Sequence, residues 1–235
     1  MRKFFYIILL IPLLYSTPVS LWAQELNAKL THYSTEDGLP SNAISDIAQD
    51  RQGFIWIATW NGLARFDGFN FQCYTTGPIS GIPFLHNRIL SITPDTEGNI
   101  WMRMYDNRIF VLNRHTDKIQ PVFADINEGQ QLRVDLPLTT SNNGTVFAHI
   151  EGRGICQLRL TKNVLTHYFI PTKHYQIKQI LADTDNHLWL STQYGLSFYD
   201  VKSKQIHQVH SLHGSIVAAM SRRGTQILIA MHNGK

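Results

Sequence analysis

The stretch Gly53-Phe54-Ile55-Trp56-Ile57-Ala58-Thr59-Trp60-Asn61-Gly62-Leu63-Ala64-Arg65-Phe66-Asp67-Gly68 carries the pattern that decides the fold. Two short runs rich in aromatic, aliphatic and β-branched residues, 54–59 and 63–67, flank the turn Trp60-Asn61-Gly62. Runs of this length bounded by Gly, Asn or Asp predict strands joined by tight turns. Ile44 and Ile47 lead to Asp50 just before it, and Phe69 to Thr75 follow it. A unit of four short strands is therefore expected over 44–76.

The unit recurs. Gly53-Phe54-Ile55-Trp56 returns as Gly98-Asn99-Ile100-Trp101, then as Gly144-Thr145-Val146-Phe147 and Asn186-His187-Leu188-Trp189. Gly224-Thr225-Gln226-Ile227-Leu228 makes a fifth copy. A period of about 40 residues with four short strands per unit matches a β-propeller blade. Helical repeats of similar length would show apolar residues at i, i+3, i+4 and i+7, and no stretch after residue 24 sustains that spacing. The expected fold is all-β: an incomplete β-propeller ring of four full blades at about 44–76, 89–122, 134–169 and 177–209, with half of a fifth at 216–235. Trp56, Trp101 and Trp189 are expected to wedge between neighbouring blades. Asp50, Asp95 and Asp183 recur after each first strand and read as turn-forming residues.

The chain has 235 residues, 43% hydrophobic and only 16% charged, which excludes a largely disordered protein. Its net charge is +4, two of the basic residues being Arg2 and Lys3, and Arg222-Arg223 is the longest basic run beyond them. Nucleic-acid contact is not expected. The start, Met1-Arg2-Lys3 followed by apolar residues to Tyr15 and small residues up to Ala23, reads as a signal peptide over 1–23. Export to an oxidising compartment follows. Cys73 and Cys156 fall in different units and are expected as two packed thiols rather than a disulfide. His207, His210 and His213 fall at the end of a fourth strand and in the following loop, and in a strand His207 and His210 point to opposite faces, so no metal site is expected. No cofactor is expected either. Asn143-Gly144-Thr145 fits the glycosylation pattern and is read as incidental.

The opening, Leu30-Thr31-His32-Tyr33-Ser34-Thr35-Glu36-Asp37-Gly38-Leu39-Pro40-Ser41-Asn42, with the first unit, strongly resembles the two-component regulator propeller repeat. The resemblance runs over 26–235. It implies the N-terminal part of the periplasmic sensor of a hybrid sensor histidine kinase/response regulator. Such proteins carry two seven-bladed propellers, a β-sandwich, a transmembrane helix, a kinase, a receiver and a DNA-binding domain. The resemblance further implies a glycan-derived saccharide as ligand, a homodimer in the full-length protein, and the inner membrane reached only through later parts. This chain carries no kinase motif and is not expected to be an enzyme. It reads as a fragment, because it stops inside a blade. Residues 24–43 are expected to supply a lead-in and a closing strand at Leu30-Thr31-His32-Tyr33 for a final blade.

The later units depart from the first. Met104 and Arg108 replace Thr and Gly in the second, Phe147 and Ile150 replace Trp and Thr in the third, and Leu228 and Met231 do so in the fifth. These positions flank the turn between second and third strands, at the propeller end where ligands commonly enter. The candidate ligand set is read there: Trp60, Asn61, Tyr105, Asp106, Glu151, Arg153, Gln193, Tyr194, His232 and Asn233. Arg103 and His149 stand two residues upstream, on the ends of the second strands. Aromatic faces stack on sugar rings, while Asn, Asp, Arg and Glu meet hydroxyls or an acidic group. Two further readings stand beside this one. One is a free-standing exported propeller that binds a protein or polysaccharide. The other is a propeller glycosidase or lyase using Asp106 and Glu151, since hydrolysis needs two carboxylates at set separation.

Overall fold

A computed structural model describes residues 30–76, 86–124, 132–172, 175–183 and 187–232. The signal segment 1–23, Asn186 and the chain end from Asn233 lie outside the described residues. The chain divides into Met1–His32 and Tyr33–Lys235. Among the described residues no helix is long and apolar enough to cross a membrane.

Tyr33–Lys235 is built of four antiparallel four-stranded sheets and one two-stranded sheet, each in sequential order. The first holds β1 (Ile44–Gln49), β2 (Ile55–Thr59), β3 (Gly62–Phe66) and β4 (Phe71–Tyr74). The second holds β5 (Ile89–Pro94), β6 (Ile100–Met104), β7 (Ile109–Asn113) and β8 (Lys118–Pro121). The third holds β9 (Thr139–Thr140), β10 (Val146–Ile150), β11 (Gly154–Thr161) and β12 (Val164–Pro171). The fourth holds β13 (Ile177–Ala182), β14 (His187–Thr192), β15 (Gly195–Asp200) and β16 (Gln205–His213), and the fifth β17 (Val217–Arg223) and β18 (Gln226–Met231). First strands meet first strands, β1 with β5, β5 with β9, β9 with β13 and β13 with β17. That is the radial plan of propeller blades. Among the described residues the sheets do not close a ring.

Side-chain alternation lets each blade bury two faces. Trp56 and Ala58 point toward the second blade and pack with Ile89, Met102 and Phe110. Trp101 packs with Val134, Val146 and Cys156 of the third. Phe147 packs with Ile177, Ile180 and Leu190 of the fourth. Trp56, Trp101 and Phe147 are at most 1% exposed. The wedge expected of Trp189 is incomplete. Among the described residues two strands stand beyond it, and it remains partly exposed, its ring lying 5.4 Å from Phe198. Leu228, its counterpart in the fifth blade, is 52% exposed.

The repeated aspartates do more than turn the chain. Asp50 Oδ1 accepts the backbone N–H groups of Gln52 and Phe54, and its Oδ2 accepts the Trp56 indole N–H at 2.8 Å. Asp95 and Asp183 accept the indoles of Trp101 and Trp189, each at 2.9 Å. In the third blade Ser141 stands where the carboxylate would be, and Phe147 stands where the indole would be. In the fifth the same two positions are Arg222 and Leu228.

Residues 30–34 form no strand. No final blade stands there for a closing strand to pair with among the described residues. Tyr33 to Leu39 lie against one face of the first blade. A Ser34-capped turn at Thr35–Asp37 delivers Leu39 onto Ile57 and Ala64, and Tyr33 lies 5.0 Å from the Phe66 ring. One expectation, that of a packed Cys73, needs correction. Cys73 is exposed rather than packed, because β4 is an outer strand with one face in solvent, while Cys156 is buried in β11. Two smaller differences follow from strand length. β12 reaches Pro171 and β16 reaches His213, so all three histidines lie within β16.

Candidate functional site

The second-to-third-strand turns share one blade end with the connections entering each first strand, because both join strand ends of the same polarity. Two turn designs occur. In blades one and four, two residues join the strands and a threonine locks them. Thr59 Oγ1 donates to Gly62 O and accepts from Asn61 N, and Thr192 repeats this with Gly195 and Tyr194. Gly62 has φ +117, and a Cβ there would stand 2.5 Å from Tyr74 O. In blade two, Met104 cannot make that lock. Three residues bridge to Arg108, with Asn107 at φ 65. Blade three does the same through Glu151, Gly152 and Arg153.

The first two turns come together. The Arg88 guanidinium lies over the Trp60 ring at 5.1 Å and over the Tyr105 ring at 5.6 Å. Trp60 is 55% exposed and Tyr105 62%, so both rings still offer surface. Beside them Asp106 Oδ2 lies 2.6 Å from an Arg108 terminal nitrogen, accepts the Arg108 Nε–H at 2.7 Å, and has His86 Nε2 at 3.3 Å. Burial pushes the Asp106 carboxyl up, but the hydrogen bonds and charge of Arg108, with His86 nearby, hold it below its ordinary value. Asn61 donates to Pro40 O and accepts from Asn87 Nδ2, each at 3.1 Å.

Arg103 and His149 meet through a residue between them. His149 Nδ1 lies 2.6 Å from Asp135 Oδ1, and the Asp135 charge acts on Arg103. Burial lowers the Arg103 pKa and Asp135 opposes that shift. Arg103 Nε is buried without a hydrogen-bond partner among the described residues.

The other expected residues stand apart. Tyr194 packs edge-on against Tyr175 at 6.3 Å, and Gln193 Oε1 accepts Gln176 N at 2.6 Å. Arg153 lies over the Phe169 ring at 5.6 Å. Glu151 and His232 are exposed. Asn233 lies outside the described residues. No contact joins Asp106 to Glu151 among the described residues. Held ionised by Arg108, Asp106 is suited to accept hydrogen bonds rather than to donate a proton.

Sequence reading missed His86, Asn87, Arg88 and Asp135. All four lie in connections entering a first strand. The signal that could have found them is topological: those connections share an end with the turns already singled out.

Comparison with known proteins follows this geometry. Residues 38–61 match the two-component regulator propeller family. That segment runs from the capping turn through β1, β2 and the Trp60-Asn61 turn. The chain thus carries a two-component regulator propeller repeat in an all-β propeller framework. It is 38% identical over 60 residues to histidine kinase P4 of Formosa agariphila, a match covering 26% of this chain and 4% of that protein. Among solved structures it resembles the extracellular domain of a hybrid two-component system of B. thetaiotaomicron, at 24% identity and a TM-score of 0.60. That match covers 86% of this chain and 29% of the other. It also resembles virginiamycin B lyase from Staphylococcus aureus, at 16% identity and a TM-score of 0.53, covering 82% of this chain and 68% of the lyase. These structural likenesses concern the fold. The chain spans a small fraction of the kinase and less than a third of the extracellular domain.

Proposed function

We propose that this chain is the exported, periplasmic ligand-sensing part of a hybrid two-component signalling protein, and that it takes a glycan-derived saccharide on the face formed by Trp60, Arg88, Tyr105 and Asp106. The observation that carries the reading is the arginine bridging two half-exposed rings beside an ionised carboxylate. Such a set offers stacking surface and hydrogen-bond acceptors side by side, which sugar rings and their hydroxyls require. The two-component repeat at 38–61 supports the signalling half of the reading. In the full-length protein, occupation of this face alters propeller packing within a homodimer and so sets the activity of a downstream kinase.

Isothermal titration of the full chain against a panel of neutral and acidic oligosaccharides tests it. At least one is expected to bind, with affinity falling about tenfold in Trp60→Ala and in Tyr105→Ala. Arg88→Ala is expected to weaken binding by releasing both rings. Absence of heat with every saccharide, or unchanged affinity in the ring variants, overturns the reading.

A further inference from the structure

The opposite end of the blades holds a second polar concavity. Residues at the far ends of the first strands of four blades line a cavity of about 150 Å³. Among them are Gln49, Arg51, Asp95, Thr96, Asn142 and Arg222. None belongs to the Trp60 face, which lies at the other end of strands that rise about 3.3 Å per residue.

The charge of this cavity is unbalanced. Neither Arg51 nor Arg222 enters an ion pair among the described residues. Arg222 gives one terminal nitrogen to Ala182 O at 3.1 Å. Asp95 is the only acid in the lining among the described residues, and its oxygens are already engaged. Oδ1 accepts Glu97 N and Asn99 N, while Oδ2 accepts Asn99 Nδ2 and the Trp101 indole. Arg51 and Arg222 thus line this space beside hydroxyl and amide groups, and neither meets a carboxylate among the described residues. The space is partly open to solvent and has room for a tetrahedral oxyanion.

We propose that this cavity binds a phosphate group, with Arg51 and Arg222 as its charged ligands. Guanidinium forks match the oxygen geometry of phosphate, and such charge-assisted bonds are the strong ones. The group can arrive as free phosphate or on a phosphorylated sugar.

The test titrates the full chain with inorganic phosphate, with sodium chloride holding ionic strength constant. Saturable binding is expected. It weakens about tenfold in Arg51→Gln, whose exposed side chain can be replaced without disturbing the packed core, and further in Arg51→Gln with Arg222→Gln. Trp60→Ala leaves it unchanged, which separates this site from the saccharide face. Glucose 6-phosphate that competes supports a sugar-borne phosphate, and glucose 6-phosphate that fails to compete supports the free ion. Phosphate heat no greater than that of chloride, or binding untouched in Arg51→Gln, overturns the proposal.

Discussion

A buried carboxylate at 6% exposure is costly unless its oxygens are filled, and Asp50 fills them with two backbone N–H groups and one indole. Asp50→Ala leaves those donors unpaired and should cost about 3 kcal/mol in denaturant unfolding. In Trp56→Phe the loss from Asp50→Ser should shrink, because Ser141 and Phe147 already coexist in the third blade. Reading the sequence alone, Asp50 is legible as a turn residue. Its bond to Trp56 is not, because only the closed hairpin brings positions six apart to 2.8 Å. The two thiols differ similarly. Burial pushes Cys156 up to about 12, while Cys73 is exposed on an outer strand. A thiol reagent at pH 8 should titrate one cysteine in the native chain and both after unfolding. For Asp106 the folded pKa lies below the ordinary 3.8, so its contribution to stability is present above that value and lost as pH falls through the lowered one. The stability gap between the native chain and Asp106→Asn should therefore close as the solution is acidified, followed by thermal unfolding.

At the scale of elements, the turns divide the chain into those that must have glycine and those that merely prefer it. Gly62 and Gly195 combine positive φ with a carbonyl oxygen at 2.5 and 2.4 Å from a would-be Cβ. Gly68 has positive φ but open space. Gly62→Ala should destabilise the first blade by more than about 2 kcal/mol, and Gly68→Ala by about 1 kcal/mol, compared by unfolding midpoints. Strand runs were legible because they are short, rich in β-branched and aromatic residues, and bounded by Gly, Asn or Asp. The lead-in was not. Leu30-Thr31-His32-Tyr33 has the composition of a strand, yet a strand needs a neighbour to pair with, and composition does not reveal which neighbour is present. The candidate face was half legible for a related reason. Trp60, Asn61, Tyr105 and Asp106 lie in short turns whose place follows from the repeat. His86, Arg88 and Asp135 lie in the longer connections 75–88 and 122–138, which have no counterpart in the first unit's pattern.

Across the whole molecule, core burial follows the completeness of the neighbouring blade. Trp56, Trp101 and Phe147 each have a four-stranded sheet beyond them and are sealed, whereas Trp189 faces two strands and Leu228 is 52% exposed. Among the described residues β18 pairs on one side only, and an unpaired strand with an exposed apolar face is a template for association. Sedimentation at rising concentration should show self-association, reduced in Leu228→Lys; a monomer at every concentration would contradict this. The pairing of carboxylate with indole also has a consequence for how such a chain can change over generations. The five units amount to an alignment carried inside one polypeptide, and in it the acid accompanies every tryptophan anchor and is missing from both units that lack one. A lineage that drops the tryptophan first leaves a buried acid short of a donor, and one that drops the acid first strands an indole. Either path crosses a less stable ancestor, so blades of the Ser141–Phe147 kind arise most readily where well-anchored neighbours supply the margin to cross it.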